Sequence, residues 1–437
     1  MNRRELISRA GAGAFALAAG TTIPAPARAD LHEYLARPEP DYKWEKKGTR
    51  RAGAGTIHEL QLVSQKWQGE IWTHRLQLFV PDHLERADFC TLLNTGGGGS
   101  TAEDLLGMAA AMQQGAPFAI LYHIPKQPLY GGKVEDELIV HTWMKYLETG
   151  DETWPLHFPM AKAVIKAMDA LQAYTKETGM KRLERFVITG ASKRGWTTWL
   201  VGASKDKRVA GIAPMVIDIL NVPKQIPRQV EAFGKPSEQV GDYTAMGFDK
   251  ILATKQGKRL LELEDPWSYR DILTLPKLII LGTNDRYWSQ DALNVYWDDL
   301  KGGKWVLYTP NSGHGLEDRG RVVASLTAFA RSVADRKALP KMEWRYQDTP
   351  KGTRLTLASD VTPVSARLFR CTAATKDFRE SKWTSTELTV DGRKVVADAE
   401  TPAQGCAAVF VEATYQTDGK PYTLSTQIRI LGTPGTK

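Results

Sequence analysis

The stretch Phe186-Val-Ile-Thr-Gly-Ala-Ser-Lys-Arg-Gly-Trp196 constrains this chain more than any other. An apolar run ends in Gly190-Ala191-Ser192-Lys193-Arg194-Gly195, and a helix-compatible run from Trp196 to Ala203 follows. Small residues on both sides of one hydroxyl, between a buried strand and a helix, allow a sharp turn that leaves the hydroxyl exposed at its tip. A plain strand-turn-helix junction, in which Ser192 only caps the helix, has the same pattern. Partners elsewhere in the chain must decide between the two.

The flanking sequence predicts a sheet. Residues 57–65 and 71–80 alternate apolar and polar around Trp67-Gln-Gly-Glu70, as a hairpin does. A short apolar strand over 89–93 ends in Asn94-Thr-Gly-Gly-Gly-Gly-Ser100, with Ser100 or Thr101 capping a helix that runs to about Gln114. Further apolar strands are expected near 117–123, 186–189, 208–217, 276–282 and 304–309. Helical patterns fall at 139–147, 160–174, 290–300 and 317–335, and His157 is placed in the loop between the first two. This alternation predicts an α/β fold, a mostly parallel sheet with helices on both faces. Residues 31–47 read as an irregular lead-in, and residues 218–273, charged and proline-containing, as a lid above the strands' carboxyl ends with helical pieces at 237–248 and 251–263. Beyond Leu339-Pro340, short alternating runs at 354–358, 365–371, 387–390, 406–414 and 422–430 predict a C-terminal all-β sandwich. The expected division is an export signal over 1–29, an α/β unit over 30–338 and the sandwich over 339–437, a surface for protein or glycan contact.

Three residues follow three separate predicted strands: Ser192, Asp285 and His314. A serine hydroxyl is a weak nucleophile until a base takes its proton, and imidazole does so near neutral pH. A carboxylate then holds the imidazole in the needed tautomer. His314 lies between Gly313 and Gly315; Asp218 also follows a strand and rivals Asp285, whose other reading is a helix cap or a partner for Arg286. His123 and His157 lack that glycine context and read as structural or binding residues. The Lys193 amide and one from Gly96, Gly97 or Gly98 are placed to meet an oxyanion, with Arg194 and Trp288 as further substrate-binding candidates. The alternative for Lys193 and Arg194 is that they face solvent or form salt bridges, and for the glycine run that it is a flexible linker. That run lacks both the G-x-G-x-x-G context and the G-K-[ST] ending of nucleotide loops, so no nucleotide cofactor is expected.

The chain of 437 residues carries a formal net charge of +8. Arg3, Arg4, Arg9 and Arg28 against Glu5 account for three of these charges, so the remainder is mildly basic. No dense Lys/Arg stripe interleaved with aromatics points to nucleic acid. Arg3-Arg4, an Ala/Gly-rich apolar run over 10–19 and Ala27-Arg-Ala29 read as a twin-arginine-like export signal, implying a periplasmic or secreted protein without a membrane span. The three cysteines lack metal-ligand spacing, so no metal is expected. Cys371 and Cys406 are a candidate disulfide in an oxidising compartment, and Cys90 a buried free thiol.

The order of glycine-rich loop, Gly190-x-Ser192, Asp285 and His314 resembles the α/β-hydrolase fold. The usual Gly-x-Ser-x-Gly is altered here, with Arg194 at its last position and glycine one residue later. The basic residue beside the serine is similar to the elbow of glucuronoyl esterases, where it aids the oxyanion. A broader resemblance rests on Tyr34-Leu-Ala-Arg-Pro38, Tyr42-x-Trp44, Asn94-Thr-Gly-Gly-Gly98, Gln127-Pro-Leu129, Gly190-Ala-Ser-Lys-Arg-Gly-Trp196 and Gly282-Thr-Asn-Asp285. Together these look like the PhoPQ-activated pathogenicity-related protein family, which implies an exported hydrolase-like protein of loosely defined substrate. The expected activity is a serine esterase. Peptidase or amidase action on peptides or wall fragments, or a non-catalytic binding role, are the alternatives.

Overall fold

The computed structural model describes residues 30–434, so the export signal read in residues 1–29 lies outside the described residues. The chain opens with α1 (Leu31–Ala36), β1 (Lys43–Arg51) and the hairpin β2 (Gly55–Trp67) and β3 (Glu70–Pro81). Next come β4 (Phe89–Asn94), α2 (Thr101–Gln114), β5 (Phe118–Leu121), α3 (Glu135–Thr149), α4 (His157–Glu177), β6 (Arg185–Ala191), α5 (Lys193–Ala203) and β7 (Val209–Met215). The lid region holds α6 (Val222–Phe233), α7 (Gly241–Ala245), α8 (Phe248–Ala253) and α9 (Lys255–Glu264). Then follow β8 (Lys277–Gly282), β9 (Lys304–Thr309) and α10 (Arg319–Ala334). The C-terminal strands are β10 (Met342–Thr349), β11 (Gly352–Ser359), β12 (Ser365–Ala373), β13 (Thr384–Leu388), β14 (Val390–Asp391), β15 (Lys394–Glu400), β16 (Gly405–Thr417), β17 (Lys420–Ser425) and β18 (Arg429–Thr433).

The main sheet has the order β1-β2-β3-β5-β4-β6-β7-β8-β9-β17-β16-β12-β13, with β18 also on β16. Its centre, from β5 to β9, is parallel, whereas β1 to β3 on one side and the C-terminal strands on the other pair antiparallel. The sheet is therefore mixed, not mostly parallel throughout. Hairpins at both ends force this, because a two-residue turn such as Gln68-Gly69 can only join antiparallel strands. Successive side chains of the central strands enter two different cores. Val187, Leu278 and Ile280 pack with Phe329 and Val333 of α10, and Ile188, Ile279 and Leu281 with Val164 of α4 and Leu200 of α5. That division is the period-two geometry of a strand covered on both faces.

A second sheet, β10-β11-β15-β14, stacks on the C-terminal part of the first. Leu355, Leu357, Val395 and Ala397 meet Val411, Ala413 and Tyr415 within the same core that holds Leu307 and Phe329. The sandwich and the α/β layer thus share one apolar interior. At their seam, Ser425 pairs with Val306 and its hydroxyl accepts from Tyr308 N at 3.0 Å.

Several local expectations are corrected. The lead-in contains α1, closed by a capping box in which Asp30 accepts from Glu33 N, and the start of β1. His157 begins α4 rather than sitting in a loop. The stretch 290–300 forms only two short 3₁₀ turns, and the Ala292 carbonyl, which an α-helix would pair with Tyr296 N, accepts instead from the Gln225 amide at 3.2 Å. The lid gains a helix, α6, that Pro223 and Pro227 obscured. Two strands, β10 and β15, had no expectation, and the run 422–430 is split into β17 and β18. Cys371 and Cys406 are free thiols, as is Cys90. In the β12–β16 ladder Cys371 faces Ala408 and Cys406 faces Ala373, a diagonal relation too wide for a bridge.

Candidate active site

Ser192 stands between β6 and α5 at φ 59° and ψ −128°. This backbone region is sparsely populated for a residue with a Cβ and persists only where the surroundings impose it. The imposing contacts are local. Ser192 N donates to Met215 O at 2.9 Å, Trp196 N to Ser192 O at 2.9 Å, and a Cβ on Gly190 would collide with the Asn94 amide and the Arg194 carbonyl. Glycine is therefore required two residues before the serine, and the turn is fixed to both neighbouring strands.

Asp285 and His314 follow β8 and β9, which are adjacent in the sheet. His314 Nδ1 lies 2.8 Å from Asp285 Oδ2, and Asp285 Oδ1 accepts from Tyr287 N at 2.9 Å. The Tyr287 ring lies against the imidazole with centroids 4.3 Å apart. His314 Nε2 is buried and has no hydrogen-bond partner among the described residues, so Ser192 and His314 are not bonded to each other. Asp218, the rival carboxyl, sits at the end of the neighbouring strand and is not a partner of His314. Burial pushes it up to about 8, against the Tyr296 hydroxyl and with help from the charge of Asp285.

The loops bearing Asp285 and His314 are both tied to the hairpin loop between β12 and β13. Asn284 Nδ2 donates to Arg379 O at 3.1 Å and to Ser381 O at 2.7 Å. Asn311 Nδ2 donates to Trp383 O at 3.0 Å, and Trp383 N donates back to Asn311 Oδ1 at 2.7 Å. Sequence reading missed this anchor; the local signal was one asparagine in each loop, Asn284 beside Asp285 and Asn311 between Pro310 and Ser312.

Lys193 and Arg194 are buried in ion pairs. Arg194 makes a two-point contact with Glu135 at 2.7 and 2.6 Å and donates to Ile124 O, while Lys193 Nζ is 2.9 Å from Glu135 and 3.3 Å from Asp136. Burial raises the Glu135 carboxyl, but the hydrogen bonds and charge of Arg194, then Lys193, outweigh it and hold it well below its usual value. A Cβ on Gly96 would collide with the Arg194 guanidinium, so this arginine lies directly under the glycine loop. Gly97 N reaches back to Thr95 Oγ1 at 3.4 Å, and Gly98 stands beside His123. The position that departs from the usual elbow pattern is thus a brace between loop and helix.

A cavity of about 430 Å³ lies between Ser192 and the lid. Trp143, Trp196, Ile217, Val222, Tyr243 and Phe248 make it largely apolar, and Lys193 and Trp288 also line it. His314 borders a separate polar groove with Arg286, Glu317, Arg379 and Glu380; Tyr287 belongs to both walls. Sequence reading also missed Glu264, at the end of α9. Its Oε2 accepts from Trp143 Nε1 at 3.0 Å and lies 2.5 Å from His157 Nδ1, and its main-chain oxygen accepts from Trp196 Nε1 at 2.6 Å. The His157 ring stacks on Trp196 with centroids 4.3 Å apart. No group of three or more metal-ligating side chains occurs among the described residues, and no helix there is long and apolar enough to cross a membrane.

A parallel central sheet, helices on both faces and a strained serine turn at a strand's carboxyl end make an α/β-hydrolase-like architecture. The chain belongs to the PhoPQ-activated pathogenicity-related protein family, which it matches over residues 31–379. It is 29% identical to the autocrine proliferation repressor protein A of Dictyostelium discoideum, over 88% of this chain and 85% of that protein. Among solved structures it is similar to acetyl xylan esterase 1 from Thermoanaerobacterium, with TM-score 0.49 and 13% identity, over 70% of this chain and 95% of that one. It is also similar to the glucuronoyl esterase from Solibacter usitatus, with TM-score 0.40 and 13% identity, over 68% and 87%.

Proposed function

We propose that the chain is a serine hydrolase that cleaves a carboxylic ester through an acyl-enzyme on Ser192. The observation that carries the reading is the 2.8 Å pair of His314 Nδ1 and Asp285 Oδ2, at the ends of the second and third strands along from the one that carries a serine held at φ 59°. In this reading Asp285 fixes the imidazole with its proton on Nδ1, leaving Nε2 to accept the proton of Ser192 Oγ as the oxygen attacks the ester carbonyl. The resulting oxyanion is met by the Lys193 amide, at the first position of α5 where main-chain N–H groups have no helical partner, and by an amide of Gly96 to Gly98. Nε2 then protonates the departing alcohol. Water, deprotonated by the same nitrogen, releases the acid and restores the serine. Arg194 acts here through the glycine loop it underlies, not as a binding site for an anion.

A fluorophosphonate probe tests the assignment. Labelling of wild type and of Ser204→Ala, with none in Ser192→Ala, is expected, together with a fall in kcat on the order of 10⁴-fold or more on removing the Ser192 hydroxyl. Intact labelling of Ser192→Ala overturns it. The absent bond between Ser192 and His314 favours a second reading, a non-catalytic binding protein, and unlabelled wild type selects that reading. We further propose export of the protein, carried by Arg3-Arg4, the apolar run and Ala27-Arg-Ala29. Mature protein beginning at Asp30 is the expected N-terminus.

A further inference from the structure

Most polar side chains around the cavity beside Ser192 are engaged within the protein. Tyr243 Oη donates to Asp136 at 2.9 Å, and Lys193 Nζ is paired with Glu135 and Asp136. Gln225 Nε2 donates to Leu220 O and Ala292 O, and Gln229 donates to Tyr287 O while accepting from Ser237 N. The indole N–H groups of Trp143 and Trp196 both go to Glu264, and Glu264 Oε1 and Trp288 Nε1 are buried. The wall presents hydrocarbon instead. Ile219, Ile226, Val230, Val240, Phe248 and Leu261 line it, and each is half-buried or exposed. Its exposed polar residues are Thr244, whose hydroxyl donates to Gly241 O, and Asp249. Such a surface favours an apolar occupant, because a polar one gives up its hydration without finding partners. An apolar cavity of about 150 Å³ holds one benzene ring, and this one, of about 430 Å³, has room for a chain of roughly eight carbons.

The other side of the serine differs. His314 stands in a groove walled by Gln239, Asn284, Arg286, Glu317, Arg379 and Glu380, and Tyr287 borders both spaces. In acyl transfer the histidine gives its proton to the departing oxygen. The alcohol therefore leaves on the side of the polar groove, and the acyl group held on Ser192 is left to the apolar cavity. We propose that the substrate is an ester of an apolar carboxylic acid with a polar alcohol, the acyl chain lying under the lid and the alcohol beside His314. The assignment rests on the reading of Ser192 as the nucleophile and names the substrate class of that site.

Glycerol monoesters of acetic, butyric, hexanoic and octanoic acids, at monomeric concentrations, test the cavity. Wild-type kcat/KM is expected to rise about three- to fourfold per methylene, and a flat or falling series overturns the proposal. Octanoylglycerol and octyl glycerate contain the same atoms with the two ends reversed. A preference of about tenfold or more for octanoylglycerol is expected; equal turnover, or the reverse preference, overturns the placing of acid and alcohol. Ile226→Trp fills part of the cavity, and the ratio of octanoyl to acetyl kcat/KM, which does not depend on how much of the variant folds, should fall about tenfold. An unmoved ratio overturns the proposal. So does a preference for the 6-aminohexanoyl over the hexanoyl ester, since that marks a cationic chain recognised at Asp249. Binding is read separately in Ser192→Ala, from quenching of indole fluorescence by octanoylglycerol brominated at the last acyl carbon or on the glycerol. Trp143, Trp196 and Trp288 line the cavity, so stronger quenching by the acyl bromine is expected, and equal quenching overturns the proposal. Wild type that takes no fluorophosphonate label defeats the hydrolytic reading while this quenching still decides the cavity. Labelled Ser192 with a flat chain-length series defeats the substrate assignment alone.

Discussion

The two halves of the candidate site are held by different means. On the serine side, Gly190, Asn94, Met215 and Trp196 fix the turn through contacts within and beside the strands that bear it. On the histidine side, Asp285 and His314 ride on loops whose asparagines bond to the β12–β13 hairpin loop, 72 residues from Asn311 and 97 from Asn284 where it reaches Ser381. One half is a property of the sheet, and the other depends on the C-terminal strands being docked. The sharpest way to break the second half chemically is Asp285→Asn. An amide in this place donates to Nδ1 and leaves the proton on Nε2, so the imidazole cannot accept from Ser192. A fall in kcat of about 10⁴-fold with thermal stability nearly retained is expected; an active Asp285→Asn would move the role to Asp218.

The next effect separates holding from chemistry. Asn311→Ala leaves both Trp383 main-chain groups unpaired in a residue that is 2% exposed. A loss of about 2–6 kcal/mol in unfolding free energy follows from two orphaned groups, and kcat should fall roughly tenfold with little change in KM. Tyr415→Phe is the control: it deletes the 2.9 Å bond to Ser359 inside the sandwich, away from the site. It should cost about 1 kcal/mol and leave kcat alone. Equal kcat losses in the two variants would mean that the hairpin loop matters only through global stability.

The same division decides what could be read from sequence. The turn at Ser192, the hairpin ahead of it and the Ser100 cap of α2 depend on residues a few positions apart, and their spacing was legible. The order of Ser192, Asp285 and His314 at strand ends was legible for the same reason, since each apolar strand announces its own end. Glu264 was not, because its partners His157 and Trp143 are 107 and 121 residues away and nothing near it in sequence marks a buried carboxyl. For Arg194 the salt-bridging role was legible but its partner was not: the pairing with Glu135 spans 59 residues, and the close approach of Gly96 shows what the arginine supports. The mixed character of the sheet was hidden at the seam, where a single pair, Ser425 with Val306, joins strands distant in sequence.

The smallest effect lies where the histidine half meets the lid. Glu238 accepts from Arg286 Nε at 2.8 Å and from Arg379 Nη1 at 2.7 Å, so one lid carboxylate touches both the Asp285 loop and the hairpin loop. Lys376 pairs with Glu231, and Arg379 lies 4.0 Å over the Phe233 ring, on the same lid edge. A hydrogen bond from its own main chain, then those of the two arginines against slight desolvation, lowers Glu238 to about 2. A depressed carboxyl contributes stability above its ordinary value near 4.5, and that contribution is lost as pH falls through about 2. Glu238 is largely exposed, so solvent screening keeps the contribution under about 1 kcal/mol at low salt. Glu238→Gln should therefore lower stability slightly at pH 7 and not at all below pH 2, with the difference shrinking as salt rises toward 1 M. No loss at pH 7 would show the lid to be fastened by its apolar face on Ile217 and Trp196, and would move the tie between lid and histidine half from these charges to the Tyr287 wall.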